Sequence, residues 1–139
     1  MKIEENSGSR GGSECAAQGG VSQQSEALKK RTSEFARRII LLCEKVPATQ
    51  AGRVLSGQLI NAATAVAGNY RASCRARSRA EFTAKIGTVA EEADECVGWL
   101  ELLISTKRVG ADEVRWELAE AMELAAIFAA SFRTARSRR

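Results

Sequence analysis

From residue 25 to residue 132, apolar side chains return every three or four positions, the period that lines one face of an α-helix. The first helix is predicted over Ser25–Val46, with Leu28, Phe35, Ile39, Leu42, Cys43 and Val46 on its stripe. Pro47 ends it, because proline disfavours helical backbone in the residue before it. A second helix is predicted over Gln50–Cys74 through Leu55, Leu59, Ala62, Val66 and Tyr70. Ser78-Arg79-Ala80-Glu81 is a capping box, in which serine and glutamate satisfy unpaired amides at a helix start. The third helix follows. Its Phe82, Ile86, Val89, Ala93, Cys96, Leu100 and Leu103 repeat at alternating four- and three-residue spacing, the mark of a bundle seam. It stops near Thr106, where Gly110 and Asp112 supply a break and an N-cap. The fourth helix carries Leu118, Ala121, Met122, Ala125, Phe128, Ala129 and Phe132.

Four helices of matched length, each roughly 35 Å long, joined by short connections predict an all-α fold. The expected architecture is an antiparallel up-down-up-down four-helix bundle. Residues 1–24 hold five of the eleven glycines with many Ser and Gln, and are expected to form a disordered leader. The bundle is expected over 25–133 and a basic tail over 134–139. Folding the second and third helices about Arg77–Ser78 sets Gly57 level with Gly98 and Gly68 level with Gly87. Helix-interior glycine costs roughly 1 kcal/mol against alanine, so these pairs point to close backbone approach, or to coincidence in a chain rich in small residues.

Composition removes several chemistries. The chain of 139 residues has no histidine, hence no imidazole base, shuttle or metal ligand. Cys15, Cys43, Cys74 and Cys96 lie 28, 31 and 22 residues apart, so no C-x-x-C pair exists and buried thiols are expected. Nucleophile elbow, P-loop and dinucleotide fingerprints are all missing from the sequence. The expectation is a protein that is not an enzyme and needs no cofactor or metal. Short apolar runs give no membrane span and no export signal is visible, so the expected location is cytoplasmic.

Charge then sharpens the picture. The formal charge is +4, and an alternating topology gathers most of the basic residues at one end. Lys29, Lys30 and Arg31 start the first helix; Arg71, Arg75, Arg77 and Arg79 surround the hairpin turn; Arg133, Arg136, Arg138 and Arg139 close the chain. These are 11 of the 21 basic residues, opposed nearby only by Glu26, Glu34 and Glu81. Arginine's planar fork suits phosphate. The pattern predicts a sequence-tolerant, salt-sensitive surface for RNA or DNA backbone, against the alternative of solubility charge and helix-end stabilisation.

The run Glu91-Glu92-Ala93-Asp94-Glu95 invites a metal or catalytic reading, but a di-iron bundle needs histidine. Arg37 and Arg38, placed level with Glu91 and Glu92, predict ion pairs within the bundle or between subunits instead. Trp99-Leu100-Glu101-Leu102-Leu103-Ile104 is apolar nearly all round, and Ala90, Val97 and Ile104 form a second stripe. Either the core is wide, or Val97, Trp99, Leu102, Ile104 and Trp116 form a subunit interface with the tryptophans as anchors. The interface is the favoured expectation.

The block Gln58-Leu59-Ile60-Asn61-Ala62-Ala63-Thr64, then Gly68-Asn69-Tyr70-Arg71-Ala72 and Arg77-Ser78-Arg79-Ala80-Glu81-Phe82, resembles the four-helix-bundle family of 23S rRNA intervening-sequence proteins. Lys85-Ile86-Gly87, Glu91-Glu92-Ala93-Asp94-Glu95 and Trp99-Leu100-Glu101-Leu102-Leu103 fit the same family, and the likeness runs from residue 28 to about 132. The resemblance implies a homopentameric barrel. It extends to the accessory variability proteins of diversity-generating retroelements, which bind nucleic acid and a reverse transcriptase through basic surfaces. Arg71, Arg75, Arg77 and Arg79 match positions that are basic in some members, and no catalytic residue is implied. The expected function is an oligomeric scaffold or adaptor for nucleic acid. A protein–protein interaction module is the alternative.

Overall fold

The structure, a computed structural model, describes residues 22–138. Four helices make up the fold: α1 (Gln23–Cys43), α2 (Gln50–Ser73), α3 (Arg79–Ser105) and α4 (Arg115–Ser137). Helices adjacent in the chain pack side by side, and α1 meets α4 through a lighter contact that closes the bundle. This is the expected up-down-up-down arrangement. Residues 1–21, with Cys15 and most of the expected leader, lie outside the described residues, as does Arg139. Gln23 and Gln24 belong to α1, and α4 runs past 133 to Ser137, so the tail expected from 134 is largely the last turn of that helix.

Capping residues set the helix starts. Ser22 Oγ accepts from the Ser25 amide at 3.1 Å, and Thr49 Oγ1 accepts from the Gly52 amide at 3.0 Å. Such caps supply one of the acceptors that first-turn amides lack. Glycine is needed at position 52 because a Cβ would run into the Pro47 carbonyl oxygen. Ser78 caps α3 through the Glu81 amide at 3.0 Å, and the Glu81 carboxylate accepts from the Arg77 amide, one residue before the partner of a standard capping box. The Asp112 cap is corrected. α4 begins after Val114 with no side-chain cap, Asp112 instead pairs with Arg115 at 2.5 Å, and Val114 is fully buried. Seating that valine in the core fixes where the chain turns into α4.

The α3 seam is as the spacing predicts. Ile86, Val89, Ala93, Cys96, Leu100 and Leu103 are all buried, with Phe82 packed on their edge. They meet Phe35 and Ile39 of α1, Leu59, Ala63 and Val66 of α2, and Leu124 and Phe128 of α4 in one continuous core. On α4 the stripe needs one change: Met122 is 55% exposed, whereas Leu124 is fully buried. At roughly 25 cal/mol per Å² of apolar area removed from water, this interior dominates the stabilising side of folding.

The glycine pairing is also corrected. Gly57, Gly68 and Gly98 face open space, with nothing within 4 Å of where a Cβ would stand, so no backbone approach uses them. Gly87 packs on α4 instead of α2: its Cβ would stand 2.9 Å from Phe132 Cε1.

Candidate nucleic-acid interface

Side-chain contacts fix which helix ends share a pole. Tyr70, near the end of α2, lies with its ring centroid 5.4 Å from that of Phe128. Gly87, two turns into α3, touches Phe132 near the end of α4. Along α1, Arg38 meets Glu117 while Arg31 meets Glu120 and Glu123, so numbering falls on α1 as it rises on α4. The start of α1, the 74–78 turn and the end of α4 therefore lie at one pole.

Ten of the expected phosphate contacts fall in described residues, and they divide by environment. Arg71, Arg75, Arg79, Arg133 and Arg138 are exposed and form no ion pair with a described residue. Arg77 is 91% exposed in its side chain and only reaches Glu81 at 4.0 Å. Arg136 lies over the Phe132 ring, its guanidinium carbon 5.0 Å from the centroid. Lys30 is exposed, while Lys29 bonds Glu26 at 3.2 Å. Arg31 does not join the surface. Its Nε and Nη2 donate to the two Glu120 oxygens at 2.7 and 3.0 Å, and Nη2 also reaches Glu123 at 3.0 Å. The Glu120 hydrogen bond holds this guanidinium above its ordinary pKa range. Lys85, between one and two turns beyond Arg79, adds a cation that the sequence pattern did not single out. Its charge sits between apolar positions, and only its distance from the hairpin apex could have flagged it.

The acidic run of α3 stands apart from α1. Glu91, Glu92, Asp94 and Glu95 form no ion pair with a described residue. Arg37 is held on its own helix by Glu34 at 3.0 Å, and Arg38 lies 3.7 Å from Glu117 and 4.2 Å over the Trp116 ring. Within one chain the expected pairing of Arg37 and Arg38 with Glu91 and Glu92 is thereby corrected: α1 neighbours α2 and α4, and α3 lies diagonally across the bundle. Glu92 is half-buried, and burial, then Glu95 and Glu91, push its carboxyl upward. Among the described residues no group of acidic or thiol side chains is arranged to hold a metal ion.

The expected interface residues separate as well. Val97 and Ile104 pack partly buried against the core of their own chain, so the second stripe is largely used within the bundle. Trp99 is also half-buried, its indole N–H sealed from solvent with no hydrogen-bond partner among the described residues. Leu102 and Trp116 remain exposed, at 44% and 39%. With Val54, Leu55 and Thr106, Leu102 lines a shallow groove between α2 and α3. Val54, 57% exposed, was missed because it lies off the Leu55–Leu59 stripe and the residues three and four positions away, Gln50, Ala51, Gly57 and Gln58, are polar or small. No described helix is long and apolar enough to cross a membrane.

Comparison with known proteins finds both a family model and solved structures. The model of the 23S rRNA-intervening sequence protein family matches residues 24–130. The crystal structure of a protein of unknown function from the S23 ribosomal protein family of Bacteroides thetaiotaomicron superposes with a TM-score of 0.73 at 28% identity, covering 80% of this chain and 99% of that one. No curated protein matches.

Proposed function

The chain belongs to the 23S rRNA-intervening sequence protein family, and from that premise we propose that it is a non-enzymatic, cytoplasmic scaffold for nucleic acid. The arginine-rich pole contacts the phosphate backbone. The observation that carries this reading is the set Arg71, Arg75, Arg79, Arg133 and Arg138, drawn from three helices and a turn to one pole and left without acidic partners among the described residues. Charges clustered on one surface are the electrostatic footprint of a phosphate ligand. Arginine's bidentate geometry favours such contacts over dispersed solubility charge.

Assembly strengthens the effect. A homo-oligomer, pentameric by resemblance, repeats the pole around a ring and concentrates its field on one face. Leu102, Trp116 and Val54 are among the exposed apolar side chains suited to the subunit contact. A second reading, a protein–protein interaction module such as a reverse-transcriptase accessory protein, is favoured by the same α2–α3 groove.

Titration of labelled RNA across a salt series tests the first reading. Affinity is expected to fall steeply with salt, by about one power per phosphate neutralised. Reversing Arg75, Arg77 and Arg79 to Glu is expected to abolish it. RNA and DNA that fail to bind at low salt leave the module reading. Light scattering behind size exclusion tests assembly; a monomer at micromolar concentration removes the ring.

A further inference from the structure

Resting on the phosphate-binding reading above, we infer that the arginine pole takes double-stranded nucleic acid in preference to unpaired strands. The aromatic rings nearest that pole are committed to the fold. Tyr70 is 5% exposed and tilted 46° against Phe128, which is itself fully buried. Phe82 packs on the core edge. Phe132 lies against Gly87 and under the Arg136 guanidinium. Trp116 starts α4 beneath Arg38, toward the other pole. Single-strand binders combine a charged track with rings on which successive bases stack. This pole offers charge, with its rings buried in the bundle or packed against its edge.

The Asn69 amide, which could read adenine from a groove, donates instead to the Ala65 carbonyl of its own helix at 2.9 Å. The exposed cations of the pole are guanidinium and ammonium groups, which a phosphate backbone satisfies without regard to sequence. They project from the last turn of α2, the hairpin turn, the start of α3 and the last turns of α4. A spread over several elements, in place of a single line of cations, suits phosphates on two strands. A duplex carries about one charge per 1.7 Å of axis, twice the density of either strand alone. Only the duplex therefore engages most of the pole without needing a stacked base.

The test is anisotropy titration of the full chain with duplex RNA and duplex DNA of mixed sequence, and with oligo-U and oligo-dT of equal strand length. Duplexes are expected to bind about tenfold or more tightly at low salt, and 2-aminopurine placed in a single strand is expected to keep its free emission. Single strands that bind as tightly as duplexes, or that change 2-aminopurine emission, overturn this inference and leave the phosphate reading standing. Failure of every probe at low salt overturns both. The doubly reversed variant Arg75→Glu, Arg79→Glu touches only exposed side chains outside any ion pair with a described residue, so its far-ultraviolet spectrum is expected to be unchanged while duplex affinity is lost. Duplex preference that survives the reversal places the ligand elsewhere and overturns the assignment to this pole.

Discussion

Arg31 of α1 and Glu120 of α4 form a two-pronged bridge, Nε to Oε2 at 2.7 Å and Nη2 to Oε1 at 3.0 Å, across the lightest contact between neighbouring helices of the bundle. Glu120 is 12% exposed in its side chain and Arg31 33%, so solvent screens the pair only in part. A double-mutant cycle with Arg31→Ala and Glu120→Ala is expected to give a coupling of about 1 kcal/mol in urea unfolding. Arg31→Lys is expected to lose most of it, because an ammonium cannot supply both prongs. A coupling near zero shows that this bridge adds nothing to the hold of the apolar stripe on α1.

Four helical glycines separate by what surrounds them. Gly57→Ala, Gly68→Ala and Gly98→Ala place a methyl in open space and are each expected to stabilise the chain by about 0.5–1 kcal/mol. Gly87→Ala gains the same helix propensity but presses on Phe132, and is expected to be neutral or destabilising. Thermal midpoints of the four variants check the contrast.

Lys107 has φ 62°, the left-handed region that glycine enters without strain. It occupies the position after the α3 C-cap. The Lys107 amide donates to the Ile104 carbonyl at 2.9 Å and the Arg108 amide to the Leu103 carbonyl at 2.9 Å, the paired bonds of a Schellman motif. Lys107→Gly is expected to raise stability by about 1 kcal/mol while Lys107→Ala is not. Chemical denaturation with an unchanged m-value measures it.

Burial, then Glu92 and Glu95, push the Cys96 thiol up to about 12. A group whose folded pKa lies above its unfolded value stabilises the fold at lower pH. That contribution is lost as pH climbs from the ordinary thiol range near 9 toward about 12. Unfolding free energy of the parent chain is therefore expected to fall more steeply between about pH 8 and 10 than that of Cys96→Ala. Equal slopes refute a buried, protonated thiol. In a Cys15→Ser background, disulfide-exchange reagents at about pH 8 are expected to label Cys43, Cys74 and Cys96 only as fast as the chain opens, because all three are buried.

Periodicity made the helices, the α3 seam and the order of the bundle legible, because burial of one stripe per helix is what selects a 3.6-residue repeat. Ser78 announced its helix through local hydrogen bonding alone. What escaped was set by neighbours distant in sequence. Level-matching along one hairpin could not show that Gly87 faces α4, nor that Glu120 and Glu123 would take Arg31 away from the pole. Val114 displaced Asp112 as the start of α4 because a core seat outweighs a single cap bond. The arginine pole itself was readable, since short turns and alternating direction leave few places for the chain ends.

The thin contact between α1 and α4 divides the molecule's cooperativity. α2, α3 and α4 share the densest packing, while α1 is attached along one apolar stripe and a few charged bridges. Its amides are thus expected to be the first to exchange with deuterium beyond the fraying ends, at an opening free energy below that of the other three helices. High ionic strength, by screening those bridges, widens that gap. The first helix is a hinged stave on a three-stave barrel.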